Sequence, residues 1–209
     1  MKVSVIIPVY NHARELEQCL ASLAAQTFKD FEIIVEKDKE GLGAPVARNR
    51  GFKKSSGEFL LFSDADIIWE PHALEKMIIE LEAHSEASYV YPSFYWGRKL
   101  FSAVPFEAKK LQQMNYIHTS ALIRRVHFPK KGFDESLKKF QDWDLWLTML
   151  EEGHLGRAIP DVLMTIKPGG QMSSWLPSFV YKIPGAQFIF PAVRRYQEGR
   201  VVVRQKHGL

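Results

Sequence analysis

The chain has 209 residues, 46% apolar and 12% aromatic, which suits one sizeable core and excludes a disordered or fibrous class. A net charge of +4 and a pI near 9.1 are a modest surplus spread over the whole length; it serves solubility and does not point to nucleic acid. The single cysteine, Cys19, allows no disulfide within the chain, and no run of about 18 uninterrupted apolar residues argues for a spanning helix.

The opening "KVSVIIPVY" is β-branched and apolar without alternation, the pattern of a strand buried on both faces of a parallel sheet. Its apolar run is too short for a signal-peptide core and lacks a small-residue cleavage site, so a reducing, cytoplasmic setting is expected, if need be at the inner face of a membrane. Asn11 or His12 then opens a helix through Gln26, in which Leu16, Cys19, Leu20 and Leu23 fall on one face at helical spacing. "FEIIVE" predicts a second strand, residues 43–54 a short helix, and "GEFLLFSDAD" a third strand. Pro71 is placed as a first helical residue, followed by the stripe Leu74, Met77, Ile78 and Leu81. Strand alternating with helix predicts an α/β sandwich of mostly parallel strands.

After "EASYVYPSFYWG" the pattern loosens into short strands around "RKLFSAV" and "TSALIRR". A helix returns at "QDWDLWLTMLEEG", with Trp143, Trp146, Leu147 and Leu150 on one face and Gly153 as its stop. Two parts are expected: a domain over residues 1–172 and a tail over 173–209, rich in aromatics, broken by Pro177, Pro184 and Pro191, and basic at Arg194, Arg195, Arg200, Arg204 and Lys206. Such a tail packs on its own domain or on a second copy, or rests on an anionic membrane surface.

In an open parallel sheet, ligands bind at the carboxyl ends of the strands, where Tyr10, Asn11, Asp38, Asp64 and Asp66 all land. Alternation along a strand would aim Asp64 and Asp66 the same way, at a divalent cation or at a cation and a sugar hydroxyl. Hard oxygen ligands suit Mg2+ or Mn2+, which bridge carboxylates to a substrate's phosphates. A bare Asp-x-Asp also serves as a turn or a helix cap, so by itself it leaves both readings open.

Four segments in order, "VSVIIPVYNHARELEQCLASLAAQTFKDFEIIV", "ARNRG", "GEFLLFSDAD" and "FDESLKKFQDWDLWL", resemble the inverting nucleotide-sugar glycosyltransferases of family two over roughly residues 1 to 166. The resemblance implies the GT-A fold, an α/β three-layer sandwich with a mostly parallel sheet. It implies that Pro8, Val9, Tyr10 and Asn11 wrap base and ribose, and that Asp38 contacts the base, although an acid in "EKDKEG" equally serves its own turn. Asp64 would touch ribose or metal and Asp66 would ligate Mn2+ or Mg2+, with Ala65 between them against the donor. Asp142 matches the family's catalytic base, with Asp144 and the helix dipole as rival readings. Arg48 either binds phosphate bidentately or is an ordinary exposed helix arginine. The partners implied are a nucleotide-diphosphate sugar and a glycan, lipid-linked or protein acceptor.

The chain departs from the pattern in three places. Between Val35 and Arg48 a helix and a strand are missing, which shortens the nucleotide-binding half. "TIKPGGQMSS" has no histidine where many relatives place a metal or phosphate ligand, and Lys167 is the candidate to replace it; Thr148 stands where the family often has arginine. A non-catalytic nucleotide-sugar binder is the alternative, and an Asp-x-Asp phosphatase a more distant one, since its acid pair follows the first strand rather than the third.

Overall fold

The opening apolar run forms strand β1 (Val3–Val9), flanked in parallel by β2 (Phe31–Lys37) and β3 (Phe59–Phe62), with Val3 in register with both Phe31 and Phe59. In this computed structural model, which describes residues 1–10, 13–167, 180–183 and 185–209, β1 and β3 are covered on both faces. Val3, Val5 and Ile7 join one core with Phe59 and Leu61, while Ile6 joins the opposite core with Leu60 and Phe62. Successive strand side chains point to opposite faces, so a strand with helices on both sides is apolar at nearly every position, and the buried Ser4 satisfies its hydroxyl on Glu32 at 2.7 Å.

The sheet continues through β4 (Ile67–Trp69), β5 (Ala87–Trp96), β6 (Lys99–Phe101), β7 (Leu122–Arg124) and β8 (Leu155–Ile166), in the order β2-β1-β3-β7-β5-β8-β4 with β6 paired to β5. The long ladders β1–β2 and β5–β8 are parallel, whereas β7, β6 and β4 add short antiparallel ones. Helices α1 (Ala13–Ala24) and α3 (Ala73–Ala83) cover one face through Cys19, Leu23, Leu74, Met77 and Leu81. The other face takes α4 (Ala108–Gln113) and α5 (Gln141–Glu151) through Leu111, Trp143, Trp146 and Leu147, with Phe52 of α2 (Ala44–Lys54) packed beside them. Each fully buried side chain of this kind contributes about 1.5–3 kcal/mol of transfer free energy. Two C-terminal helices follow, α6 (Ala186–Ile189) and α7 (Pro191–Lys206), and Val203 of α7 completes the second core. No helix among the described residues is long and apolar enough to cross a membrane.

Several expectations shift. The helix after Pro71 starts at Ala73, because the Pro71 carbonyl is engaged by the Thr27 N–H at 2.8 Å outside the helix. The third strand stops at Phe62, so Asp64 and Asp66 stand in a turn and strand alternation does not aim them. Between β2 and β3 there is α2 and no strand, which agrees with the missing segment. The expected boundary at 172/173 lies outside the described residues.

Candidate active site

Beyond β3 the chain folds back within four residues. The Ile67 N–H donates to the Asp64 carbonyl at 3.2 Å, and β4 then pairs antiparallel with β8, Ile67 opposite Ile166. The turn is pinned from beneath: Trp69 Nε1 donates to Ser63 Oγ at 2.9 Å, and the buried Cys19 thiol lies 3.6 Å from the same oxygen. Burial pushes that thiol up to about 11, so Cys19 is a packing group and not a nucleophile. Asp64 and Asp66 are therefore half-exposed on either side of the buried Ala65. Lys167 arrives at the same turn from the end of β8. Its N–H donates to the Asp66 carbonyl at 3.1 Å, and its ammonium donates to Gln18 Oε1.

Arg48 is buried, which removes the exposed-arginine reading. Its Nη2 donates to Asp64 Oδ1 at 2.6 Å, its Nη1 to Gln141 Oε1 at 3.1 Å, and its guanidinium lies 5.3 Å from the centre of the Phe133 ring. The remaining Nε is buried and meets no acceptor among the described residues. Burial works to raise the Asp64 carboxyl, but the Arg48 and His118 charges and the Arg48 hydrogen bond outweigh it and hold Asp64 below the usual carboxylate range. The neighbouring Asn49 ties α2 to the loop before α5: its Oδ1 accepts the Phe133 N–H at 2.9 Å, and its Nδ2 donates to the Phe133 carbonyl and to Glu135 Oε1, both at 2.9 Å. Gly132 has to lack a side chain there, because a Cβ would sit 2.3 Å from Asn49 Oδ1.

Helix α5 presents Asp142 to this cluster because its indoles fix it at depth. Trp143 Nε1 donates to the Leu111 carbonyl at 2.6 Å, Trp146 Nε1 to the Ile117 carbonyl at 3.1 Å, and Tyr89 stacks on Trp146 at 4.5 Å. Phe140, immediately before the helix, has φ 59°, the one non-glycine residue with positive φ among those described. A bulky residue in that region costs energy and persists where its surroundings enforce it, here by edge contacts to Trp143 and Tyr196. The Asp142 carboxylate accepts Asn115 Nδ2 at 2.7 Å and the Trp143 N–H at 2.9 Å. Burial nonetheless prevails over His118, these donors and Arg48, and Asp142 is raised above the ordinary aspartate value. Asp144 faces away: it is buried against Lys206 and His207 of the C-terminal segment, at 2.8 and 2.9 Å.

His118 belongs to the same cluster and had no signal in the sequence, where it is a lone histidine before a short strand. Its Nδ1 accepts the Ser120 N–H at 3.1 Å, which places the proton of the neutral ring on Nε2. Burial lowers its basicity, while the charges of Asp64 and Asp142 act on it in the opposite sense.

The expected nucleotide side lies at the carboxyl ends of β1 and β2. Pro8 and Val9 close β1, and Tyr10 is 43% exposed with its ring against Gly41. Asp38 is occupied locally: its carboxylate accepts the N–H groups of Leu42 at 2.9 Å and Gly43 at 2.7 Å. Gly41 and Gly43 have φ of +69° and +103°, the left-handed region that such a turn demands of them. Burial opposes ionisation of Asp38, but the N–H donors of this turn and Arg50 hold it below its usual value. Asn11 lies outside the described residues. Thr148, in the place of a family arginine, donates to the Asp144 carbonyl at 2.9 Å.

Among the described residues no group of three or more His, Cys, Asp or Glu could hold a metal ion. Asp64 and Asp66 put two half-exposed carboxylates on one turn, and Mg2+ or Mn2+ take one or two protein carboxylates and complete their shell with water and phosphate oxygens.

An open-edged sheet between two helical layers, with acids in the turn beyond β3 and a buried arginine of α2 against them, defines the GT-A class of nucleotide-sugar transferase folds. The model of "Glycosyl transferase family 2" matches residues 4–40 and 35–136, and the chain belongs to that family. The two matched pieces meet where the helix and strand are missing. The chain is 27% identical over 193 residues to "Uncharacterized glycosyltransferase YwdF" of Bacillus subtilis (strain 168), covering 75% of this chain and 71% of that protein. Among solved structures it is similar to S. aureus TarS 1-349 in complex with UDP-GlcNAc, with a TM-score of 0.70, 21% identity, and coverage of 87% of this chain and 64% of that one. It is also similar to the mannosyltransferase PcManGT of Pyrobaculum calidifontis in complex with GDP-Man and Mn2+, with a TM-score of 0.65, 17% identity, and coverage of 82% and 58%. The chain thus spans less than two thirds of each of these two solved neighbours.

Proposed function

We propose that the chain is a metal-dependent inverting glycosyltransferase that moves a sugar from a nucleotide-diphosphate sugar to an acceptor hydroxyl. The observation that carries this reading is the bridge made by Arg48: one guanidinium joins Asp64 of the Asp-x-Asp turn to Gln141, the residue before Asp142. Donor-binding acid and candidate base therefore share one cluster. The raised basicity of Asp142 suits a group that takes the acceptor hydroxyl's proton as its oxygen attacks the anomeric carbon. The bond to the diphosphate breaks in the same displacement, its electron pair leaves with the phosphate oxygen, and the configuration inverts. No side chain needs to form a covalent intermediate.

Asp64 and Asp66 would hold Mn2+ or Mg2+, which supplies charge stabilisation to the departing diphosphate. Pro8, Val9, Tyr10, Asn11, Asp38 and Ala65 are assigned to the donor by position, with Asp38 acting mainly through the shape of its loop. Arg48 adds a fixed positive charge, and its unsatisfied Nε is one hydrogen-bond donor available to a phosphate oxygen or a water. Donor complexes of the structural neighbours, with UDP-GlcNAc and with GDP-Man, support the donor class without choosing a nucleotide.

The test is Asp142→Asn. Transfer and slow donor hydrolysis should fall by about 100-fold or more while manganese-dependent donor binding, followed by thermal shift, is retained. A wild-type protein that binds donors yet never transfers or hydrolyses them would be a binder and not an enzyme.

A further inference from the structure

Helix α7 has two ends with opposite fates. Its C-terminal half is fastened to the domain: Val203 is buried with Trp143 and Trp146, and Lys206 and His207 hold Asp144. Gly199 lets it come close, since a Cβ there would lie 3.1 Å from Lys139 Cβ and 3.2 Å from Phe140 Cδ2. At the other end the junction with α6 leaves apolar groups in solvent: Phe188 is 87% exposed, Ile189 74%, Ile183 47% and Phe190 37%. Phe188 and Ile189 close α6, and Phe190, extended at φ -111° and ψ 108°, links it to α7, so the three side chains make an exposed apolar tip at the junction. Arg194 and Arg195 stand exposed on the next turn, with Glu198 only 3.9 Å from Arg194 as an exposed counter-charge.

We infer that the α6–α7 junction docks on an anionic lipid surface. A projecting aromatic and aliphatic tip enters the boundary between headgroups and acyl chains, and guanidinium groups beside it meet lipid phosphates. A second copy of the chain is the poorer occupant, because a two-fold contact through this tip would bring the Arg194 and Arg195 pairs of both copies together. The helix that carries the tip is also fastened beside the start of α5. Tyr196, six residues beyond Phe190 and about 9 Å along the helix axis, packs its ring 5.0 Å from that of Phe140, which precedes Gln141 and Asp142. Resting on the transferase reading, this position favours an acceptor presented at the bilayer surface.

The experiment is co-sedimentation of the full chain with vesicles of phosphatidylcholine, with and without phosphatidylglycerol, as salt is raised. Wild-type protein should bind the anionic vesicles and be released by salt. The double variants Phe188→Ser with Ile189→Ser, and Arg194→Glu with Arg195→Glu, should each weaken binding at least about tenfold at an unchanged melting temperature. Absence of wild-type binding, or full binding by the serine variant, overturns the proposal. So does a dimer seen by light scattering that the serine variant abolishes while vesicles are ignored. Transfer to a soluble acceptor, measured separately, reports on the glycosyltransferase reading alone.

Discussion

Arg48 illustrates how one residue carries both stability and function. Its guanidinium meets a carboxylate, an amide oxygen and an aromatic ring from three different segments. Arg48→Ala strands Asp64 beside Asp66 without its counter-charge. Because the Asp64 side chain is 34% exposed, the cost should be less than for a fully buried pair, on the order of 2 kcal/mol in urea unfolding. Arg48→Lys should recover little of it, since an ammonium is a point charge and does not span Asp64 and Gln141 together; full recovery would show that only charge matters. Asp142 offers a second test at this scale. It has to be ionised to accept a proton, so with its pKa raised the activity should fall, on acidification, at a pH above the ordinary aspartate value. Asn115 donates to the ionised form, and Asn115→Ala should therefore move that acid limb of the pH profile to still higher pH. A limb that stays put or moves down would separate Asp142 from the chemistry.

Among the elements, α5 is held from both ends of its own first two turns. Indoles pull it onto α4 and the 115–118 segment, and the C-terminal residues clamp Asp144 from outside. Lys206 extends the clamp to Asp134 in the preceding loop at 2.7 Å, and its hydrogen bond is the main reason the Asp134 carboxyl is lowered to about 2. A depressed carboxyl stabilises the fold above its unfolded value of 3.8 and loses that contribution as pH falls toward about 2. Lys206→Met should flatten the dependence of stability on pH across that window, as read from urea midpoints, and lower stability at neutral pH by leaving Asp144 to His207. An unchanged slope would mean that the clamp does not survive in solution.

At the scale of the whole molecule, the site lies where two parts of the sheet meet. Arg48 and Asp64 come from the segments around the parallel β2-β1-β3 part, and Asn115, His118 and Asp142 from the segments around β7 and α5. A ligand spanning both would stabilise the domain as a unit. A nucleotide-diphosphate sugar with Mn2+ at about 100 times its Kd should add about 2.7 kcal/mol, a rise in Tm of roughly 5–10 °C for a chain of this size. Asp64→Asn should remove the manganese-dependent part. If no donor raises Tm with either metal, donor binding is excluded at this site.

The sequence by itself determined the layered α/β fold, because uniform apolar runs such as "VSVIIPV" and the helical stripe at Leu74, Met77, Ile78 and Leu81 are local patterns with one economical burial. It also marked Asp64, Asp66 and Asp142, whose segments occur in a recognisable order. What it left open was decided by contacts between distant residues. Arg48 and Gln141 are 93 positions apart, and only the folded chain makes that arginine a buried bridge. Asp144 carries the same chemistry as Asp142 two positions earlier, and it was turned into a structural group by residues 62 and 63 positions further on. His118 has no periodicity to betray it and became part of the site only when the segment before β7 was drawn beneath α5. Local patterns report how a residue is buried, whereas the charge it meets once buried depends on which remote segment fills the space beside it.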